Sequence, residues 1–365
     1  MIAADGPAAG DDLLRAWGWS PRLEQEYGAR VGEGLLPARV TSQHRGAYGL
    51  MTGSGGVTGV APGRMLYRAS GQRQLPAVGD WVLIRPEIEG PATIVEILPR
   101  RTEFVRRRAG SEDREQVVAA NIDIVFLMSS LNQELSLRRI ERYLVATRDS
   151  GAQAVILLTK ADLVDDPAEA VKSVREVALG VPVHAISNVS GEGLDVVRDY
   201  LQPGRTIALM GSSGVGKSTL VNRLAGKELL RTQQVRDADD KGRHTTTHRE
   251  IYRLPDGALL LDSPGMRELG FWDAEEGFQE TFDDIERIVT RCRFRDCGHT
   301  NEPGCAVREA LEEGIVTAAR WDSYQRLERE ARYEPRRQDT SAARAERQRW
   351  RQIHKELRKL PKKGS

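Results

Sequence analysis

No stretch of this chain is apolar for the roughly 20 residues that a membrane-spanning helix needs. The opening residues, Met1 to Asp12, hold neither the basic start nor the apolar core of a secretory leader. A cytoplasmic protein is therefore expected. Charge of one sign is missing too: 54 Lys and Arg stand against 53 Asp and Glu in 365 residues, so a net charge of +1 selects no class of partner and only local clusters can. Aromatic residues are sparse at 5%. Three cysteines cannot complete a disulfide framework. All three fall within 292–305, a spacing that favours metal over bridges. No internal repeat is visible, and no pattern suggests a dimer surface, so a monomer is expected.

The chain is long enough for two or three domains. Residues 1–36 read as an extension with one short helix around Leu13–Tyr27. Residues 37–113 read as all-β, with short runs at Ala38–Val40, Gly56–Val60, Asp80–Ile84 and Ala92–Ile97 set apart by Gly and Pro. A five-stranded OB-type barrel fits that size. From 114 to 270 the pattern changes. Apolar runs at Ile122–Met128, Ala154–Leu158, Thr206–Met210 and Ala258–Leu261 alternate with helical periods at Arg138–Thr147, Pro167–Leu179, Leu194–Leu201 and Ser218–Ala225. That alternation predicts an α/β domain with a mostly parallel sheet. Residues 271–334 read as mainly α around the cysteines, with helices at Ile285–Thr290, Ala306–Glu313 and Ala318–Tyr333. Residues 335–365 form a basic tail.

Three motifs define a candidate nucleotide site. Gly211-Ser212-Ser213-Gly214-Val215-Gly216-Lys217-Ser218, followed by Thr219, fits GxxxxGK[ST] between a strand and a helix. Its glycines allow backbone N–H groups to turn inward around phosphates. Lys217 would contact the β- and γ-phosphates, and Ser218 would ligate Mg²⁺. Asp262-Ser263-Pro264-Gly265 fits DxxG at a strand end: Asp262 would hold Mg²⁺ through water, and the Gly265 amide would sense the γ-phosphate. Thr159-Lys160-Ala161-Asp162 follows a third apolar run. The Asp162 carboxylate can accept both N–H groups of guanine, while Lys160 covers the base plane. A weaker base contact is placed at Ser187, followed by Asn188. The base reader precedes the phosphate loop, the reverse of the usual GTPase order, so the domain reads as circularly permuted.

The polar stretch 241–248 lies between the phosphate loop and Asp262, where a switch would be. Thr246, with Thr245 as its neighbour, is the candidate Mg²⁺ ligand there. The position after DxxG, where a water-orienting Gln is common, holds Met266. His244 is the candidate replacement, against the plainer reading of a solvated loop histidine. Cys292, Cys297, His299 and Cys305 supply three thiolates and an imidazole within fourteen positions, a structural zinc set.

This order of motifs closely resembles the ribosome small-subunit-dependent GTPase A family, RsgA or YjeQ. Ala119–Asp123 and Leu137–Leu144 resemble it as well. The resemblance spans about residues 36–333 and implies three parts: an OB-fold, a permuted GTPase domain and a zinc domain. It implies GTP hydrolysis stimulated by the 30S subunit and its 16S rRNA, coupled to release late in assembly, with His244 as the catalytic histidine. Thr159 stands where the family commonly has Asn, and Ser187-Asn188 where it has Ser-Ala. Arg100, Arg101, Arg106, Arg107, Arg108 and the basic tail are candidate rRNA contacts. Two other readings fit the same motifs: a GTPase acting on another RNA or on the large subunit, and a zinc-stabilised RNA scaffold that does not use hydrolysis.

Overall fold

A computed structural model of the chain describes residues 9–31, 34–44, 46–69, 72–107, 115–132, 135–230, 249–262, 266 and 275–330. Thirteen strands lie among them. Eleven join one continuous sheet, and β6 (Glu103–Arg107) with β7 (Glu115–Ala120) makes a separate antiparallel pair.

The α/β half contains β8 (Ile124–Ser130), β9 (Gln153–Thr159), β10 (Val183–Ala185), β11 (Thr206–Gly211), β12 (Arg249–Arg253) and β13 (Leu259–Asp262). Their spatial order is β10-β9-β8-β11-β13-β12, parallel except for the antiparallel β13–β12 pair. The chain thus enters at β8, runs outward to β10, and returns to the middle at β11. Side chains alternate between two cores, as the two-residue period of a strand requires. Val125 and Leu127 of β8 face one core, together with Ile140 and Leu144 of the helix Leu137–Asp149 and Val174 of the helix Ala168–Val177. Ile124, Phe126 and Met128 face the other. There they meet Leu194 and Val197 of the helix Leu194–Asp199, and Leu220, Val221 and Leu224 of the helix Lys217–Ala225. Helices on both faces explain why these strands read as unbroken apolar runs.

The first five strands close into a barrel: β1 (Leu36–His44), β2 (Ala47–Thr52), β3 (Gly55–Val60), β4 (Trp81–Arg85) and β5 (Ala92–Ile97). Around the ring β1 pairs β2, β2 pairs β3, β3 pairs β5 in parallel, β5 pairs β4, and β4 pairs β1. Ala38, Val40, Leu50, Val82, Ile84 and Ile94 fill its interior. Sequence patterning missed β2. It also missed that Ser42 and Gln43, beyond a register shift in β1, pair with Glu250 and Arg249 of β12. That pairing fuses barrel and α/β sheet.

The single helix expected over Leu13–Tyr27 is two helices, Ala9–Ala16 and Pro21–Val31. Gly18 breaks them at φ +91°, and a Cβ there would lie 2.6 Å from the Gly204 carbonyl oxygen. The break turns Trp17 and Trp19 inward to join the main core, with Trp19 edge-on to Trp81 at 4.9 Å. Beside them Arg39 is fully buried. It bonds the Trp17 and Asn121 carbonyls and the Thr206 hydroxyl, tying three parts of the chain together. Burial pushes its pKa down to about 10, so it keeps its charge at neutral pH.

Four helices, Glu275–Thr281, Asp283–Val289, Ala306–Glu312 and 318–330, form the C-terminal part. Phe278, Phe282, Ile285, Tyr324 and Leu327 bury against Val145 of the helix Leu137–Asp149.

Candidate nucleotide and metal sites

The strands β8 and β11 are parallel neighbours, and the helices that follow them cover opposite faces of the sheet. A crevice opens outside the carboxyl ends of the strands at such a switch point, where α/β sheets bind ligands. The phosphate-loop sequence leaves β11 at this point and runs into the helix Lys217–Ala225. Val215 is fully buried and anchors the loop in the core. Gly216 starts the helix from φ +99°, a left-handed conformation that a side chain would resist. Lys217 is 8% exposed, and its Nζ donates to the Gly211 oxygen at 2.6 Å and to the Ser212 oxygen. Ser218 and Thr219 open the helix, and Ser213 and Gly214 are exposed at the loop tip.

The candidate base-reading residues arrive from the ends of β9 and β10. Thr159 ends β9, is fully buried, and donates from Oγ1 to the Val215 oxygen at 2.7 Å. Lys160 takes a left-handed turn at φ 61°, which projects Asp162 into a short helical turn. The buried Ser187 hydroxyl donates to Asp162 Oδ1 at 2.5 Å and accepts from the amides of Val189 and Ser190. Asp162 therefore keeps one carboxylate oxygen outside that bond. Two residues not singled out as site residues complete the junction. Asn188 Nδ2 donates to the Gly216 oxygen at 3.0 Å, and Arg223 Nη1 donates to the Asn188 oxygen at 2.7 Å and the Val189 oxygen at 3.1 Å. Arg223 gives no signal in the sequence beyond its place on the phosphate-loop helix. Asn188 gives one, as a carboxamide directly after Ser187.

Asp262 ends β13 beside β11, so a strand-end carboxylate borders the phosphate loop. Met266 is buried at 1% exposure within the main core. His244, Thr245 and Thr246, Ser263 to Gly265, Arg108 and the basic tail lie outside the described residues. Two clefts of about 510 and 570 Å³ lie away from the phosphate loop, one beside Arg100 and Arg101 and one on the barrel between Thr52 and Ile84. Neither is lined by the nucleotide-site residues.

The four sulfur and nitrogen ligand atoms of Cys292, Cys297, His299 and Cys305 all lie within 4.8 Å of one another. His299 Nδ1 is 3.6 Å from Cys292 Sγ and 3.5 Å from Cys305 Sγ. A tetrahedral centre with metal–sulfur bonds of about 2.3 Å and metal–nitrogen bonds of about 2.0 Å has S–N edges of about 3.5 Å, so this donor set fits one cation. His299 sits at φ 56°, an unusual backbone for a non-glycine residue, and its ring packs edge-on to Trp321 at 5.3 Å. Desolvation and the neighbouring Cys305 and Cys292 thiols push the Cys297 thiol up to about 11. A bound cation reverses that preference by stabilising thiolates.

A phosphate-loop sequence, a strand-end aspartate and a Thr-Lys-Ala-Asp segment gathered at one switch point, with that segment first in sequence, are the arrangement of a circularly permuted P-loop GTPase, here carrying a barrel of strands and a Cys/His cluster. The RsgA GTPase family profile matches residues 97–272. A small ribosomal subunit biogenesis GTPase RsgA from Opitutus terrae is 45% identical over 93% of this chain and 96% of its own length. The protein of the same name from Methanosarcina acetivorans is 42% identical over 94% of this chain and 92% of its own. The chain belongs to the RsgA family of GTPases. Among solved structures, YjeQ from Thermotoga maritima superposes with a TM-score of 0.61 at 26% identity, covering 80% of this chain and 97% of that one. YloQ, described as a circularly permuted GTPase, gives 0.60 at 25% identity, covering 82% and 96%. No described helix is long and apolar enough to cross a membrane.

Proposed function

We propose that this chain hydrolyses GTP as a maturation factor of the small ribosomal subunit, with turnover stimulated by that subunit and coupled to release. One observation carries the nucleotide reading: the Thr159 hydroxyl bonds the phosphate loop at Val215 O, so base reader and phosphate loop meet across 56 residues of inverted sequence. In this reading Asp162 selects guanine, Lys160 covers the base, and Ser187 holds Asp162 in place. The backbone of 211–219 and Lys217 hold the phosphates. Ser218, Asp262 and Thr246 would hold Mg²⁺, which supplies charge neutralisation on the phosphates when bound. His244 orients the attacking water, and Gly265 senses the γ-phosphate. The buried Met266 supports that assignment, since it cannot orient water.

The cluster of 292–305 takes zinc, because three thiolates and one imidazole suit that ion and leave no open position for substrate. The N-terminal part is of OB type. Strand pairing around its ring supports this, and such barrels bind nucleic acid. The parts are divided as 1–36, 37–113, 114–270, 271–334 and 335–365. Contact with 16S rRNA is supported by the cysteine loop, where Arg291, Arg293, Phe294 and Arg295 are exposed. The Arg293 guanidinium lies 5.5 Å from the Phe294 ring centroid. Exposed guanidinium and aromatic groups suit RNA phosphates and unpaired bases.

The test adds purified 30S or 50S particles to the protein and follows phosphate release. Stimulation by 30S alone is expected. Stimulation by 50S alone, or by neither, would overturn the assignment of partner.

A further inference from the structure

At position 159 a threonine stands where a GTPase base reader commonly begins with asparagine. Its hydroxyl has one hydrogen, and the bond to Val215 O uses it. No donor from this residue remains for the base. A carboxamide stands instead on the neighbouring loop. Asn188 Nδ2 donates one hydrogen to the Gly216 oxygen at 3.0 Å, and the backbone comes so close that a Cβ on Gly216 would lie 2.9 Å from that nitrogen. This contact fixes the amide orientation, because the flipped amide would set Oδ1 against a carbonyl oxygen.

Half of the amide is left over. Among the described residues Nδ2 makes no second bond, and Oδ1 is buried with no partner. The carbonyl oxygen cannot pair with a purine N7, itself an acceptor, so it is the second Nδ2 hydrogen that is available to a bound base. The carboxamide is half-paired at the seam between phosphate loop and base reader.

We propose that Asn188 is a base-contacting residue that supplies the amide missing at 159. One Nδ2 hydrogen holds the phosphate loop, and the other donates to guanine N7. Asp162 reads the opposite edge of the purine, so two loops grip two edges and the threonine is compensated nearby. This inference rests on the guanine-site reading above.

Equilibrium binding of GDP and of 7-deaza-GDP, which lacks that acceptor, to the full chain tests it. The wild type is expected to prefer GDP by about tenfold, the scale of one hydrogen bond. Asn188→Ala should bind GDP as weakly as the analogue, and Thr159→Asn added to Asn188→Ala should restore the preference. A bracing role alone would lower affinity for both ligands equally. Equal binding of both by the wild type, or a preference retained in Asn188→Ala, overturns the proposal. Asn188→Asp, which keeps the size and loses the donor, carries the same test if the alanine variant does not fold. If the wild type binds neither ligand while binding adenine nucleotides, the guanine reading itself falls, and this proposal with it.

Discussion

Removing Arg320 should loosen the C-terminal helices from the GTPase sheet. Its side chain is 5% exposed and faces the Glu141 carboxylate, 2% exposed, at 2.6 Å. The same guanidinium donates to the Thr281 oxygen at 2.6 Å, Asp284 Oδ1 at 2.9 Å and the Val177 oxygen at 3.3 Å, and lies 4.4 Å from the Phe282 ring centroid. Among the described residues, Arg320→Ala would leave Glu141 with only the Ser323 hydroxyl. Breaking a buried pair from one side costs about 3–5 kcal/mol, because the stranded charge stays desolvated. Amide exchange over 283–289 and 318–330 should therefore quicken by roughly two to three and a half orders of magnitude, at about 1.4 kcal/mol per tenfold. Burial already holds the Glu141 pKa above its ordinary value, opposed by Ser323 and Arg320. Without the guanidinium it should rise further. A carboxyl with a raised folded pKa is least costly when protonated, so the defect should be smallest below the wild-type folded pKa and grow as pH climbs from there through the higher folded pKa of the variant. Replacing both partners, Glu141→Leu with Arg320→Leu, should recover most of the loss. Exchange in Arg320→Ala within about tenfold of wild type would refute the reasoning.

Thr159→Val keeps the shape but strands the Val215 carbonyl, which should cost about 1–3 kcal/mol and weaken GDP binding tenfold or more, while Thr159→Ser should bind nearly normally. Equal affinity in the valine variant, measured with a fluorescent nucleotide, would remove that bond from the site. Mild denaturation with a thiol-blocking agent should release one zinc per chain, and Cys305→Ser should open 291–305 to proteases while the sheet stays protected. A metal-free chain with that loop still protected would contradict the zinc assignment. Lys217→Ala should abolish phosphate release, and residual turnover near wild type would exclude its role at the phosphates.

Much of this architecture was legible in sequence where one physical pattern dominated. Strands buried on both faces gave unbroken apolar runs, and β9 and β11 stand within a residue of Ala154–Leu158 and Thr206–Met210. Helix patterns with one apolar stripe did nearly as well, as at Ala306–Glu312. What patterning could not show was pairing between distant segments. The β1–β12 junction depends on two register positions, neither with a distinctive residue. Arg39 reads as an ordinary strand residue, yet it is buried because three backbone and side-chain acceptors from elsewhere converge on it. At the nucleotide site the motifs named candidate residues, and the structure brings Thr159, Asp162, Ser187 and the 211–219 loop into one neighbourhood. Arg223 belongs to no motif, and Asn188 stands in sequence only as the residue after Ser187; their contacts between loops become visible once Gly216 and Val189 are placed beside them.

The most direct measurement of a shared guanine pocket is nucleotide preference in Asp162→Asn. In the proposed site a carboxylate would accept from the guanine N–H groups, whereas a carboxamide can donate to the extra carbonyl of xanthine. Phosphate release with GTP and with xanthosine triphosphate should show preference moving from the first to the second. If Asp162→Asn keeps the wild-type preference for GTP, Asp162 does not read the base, and the two loops bonded through Thr159 and Val215 do not form one nucleotide site.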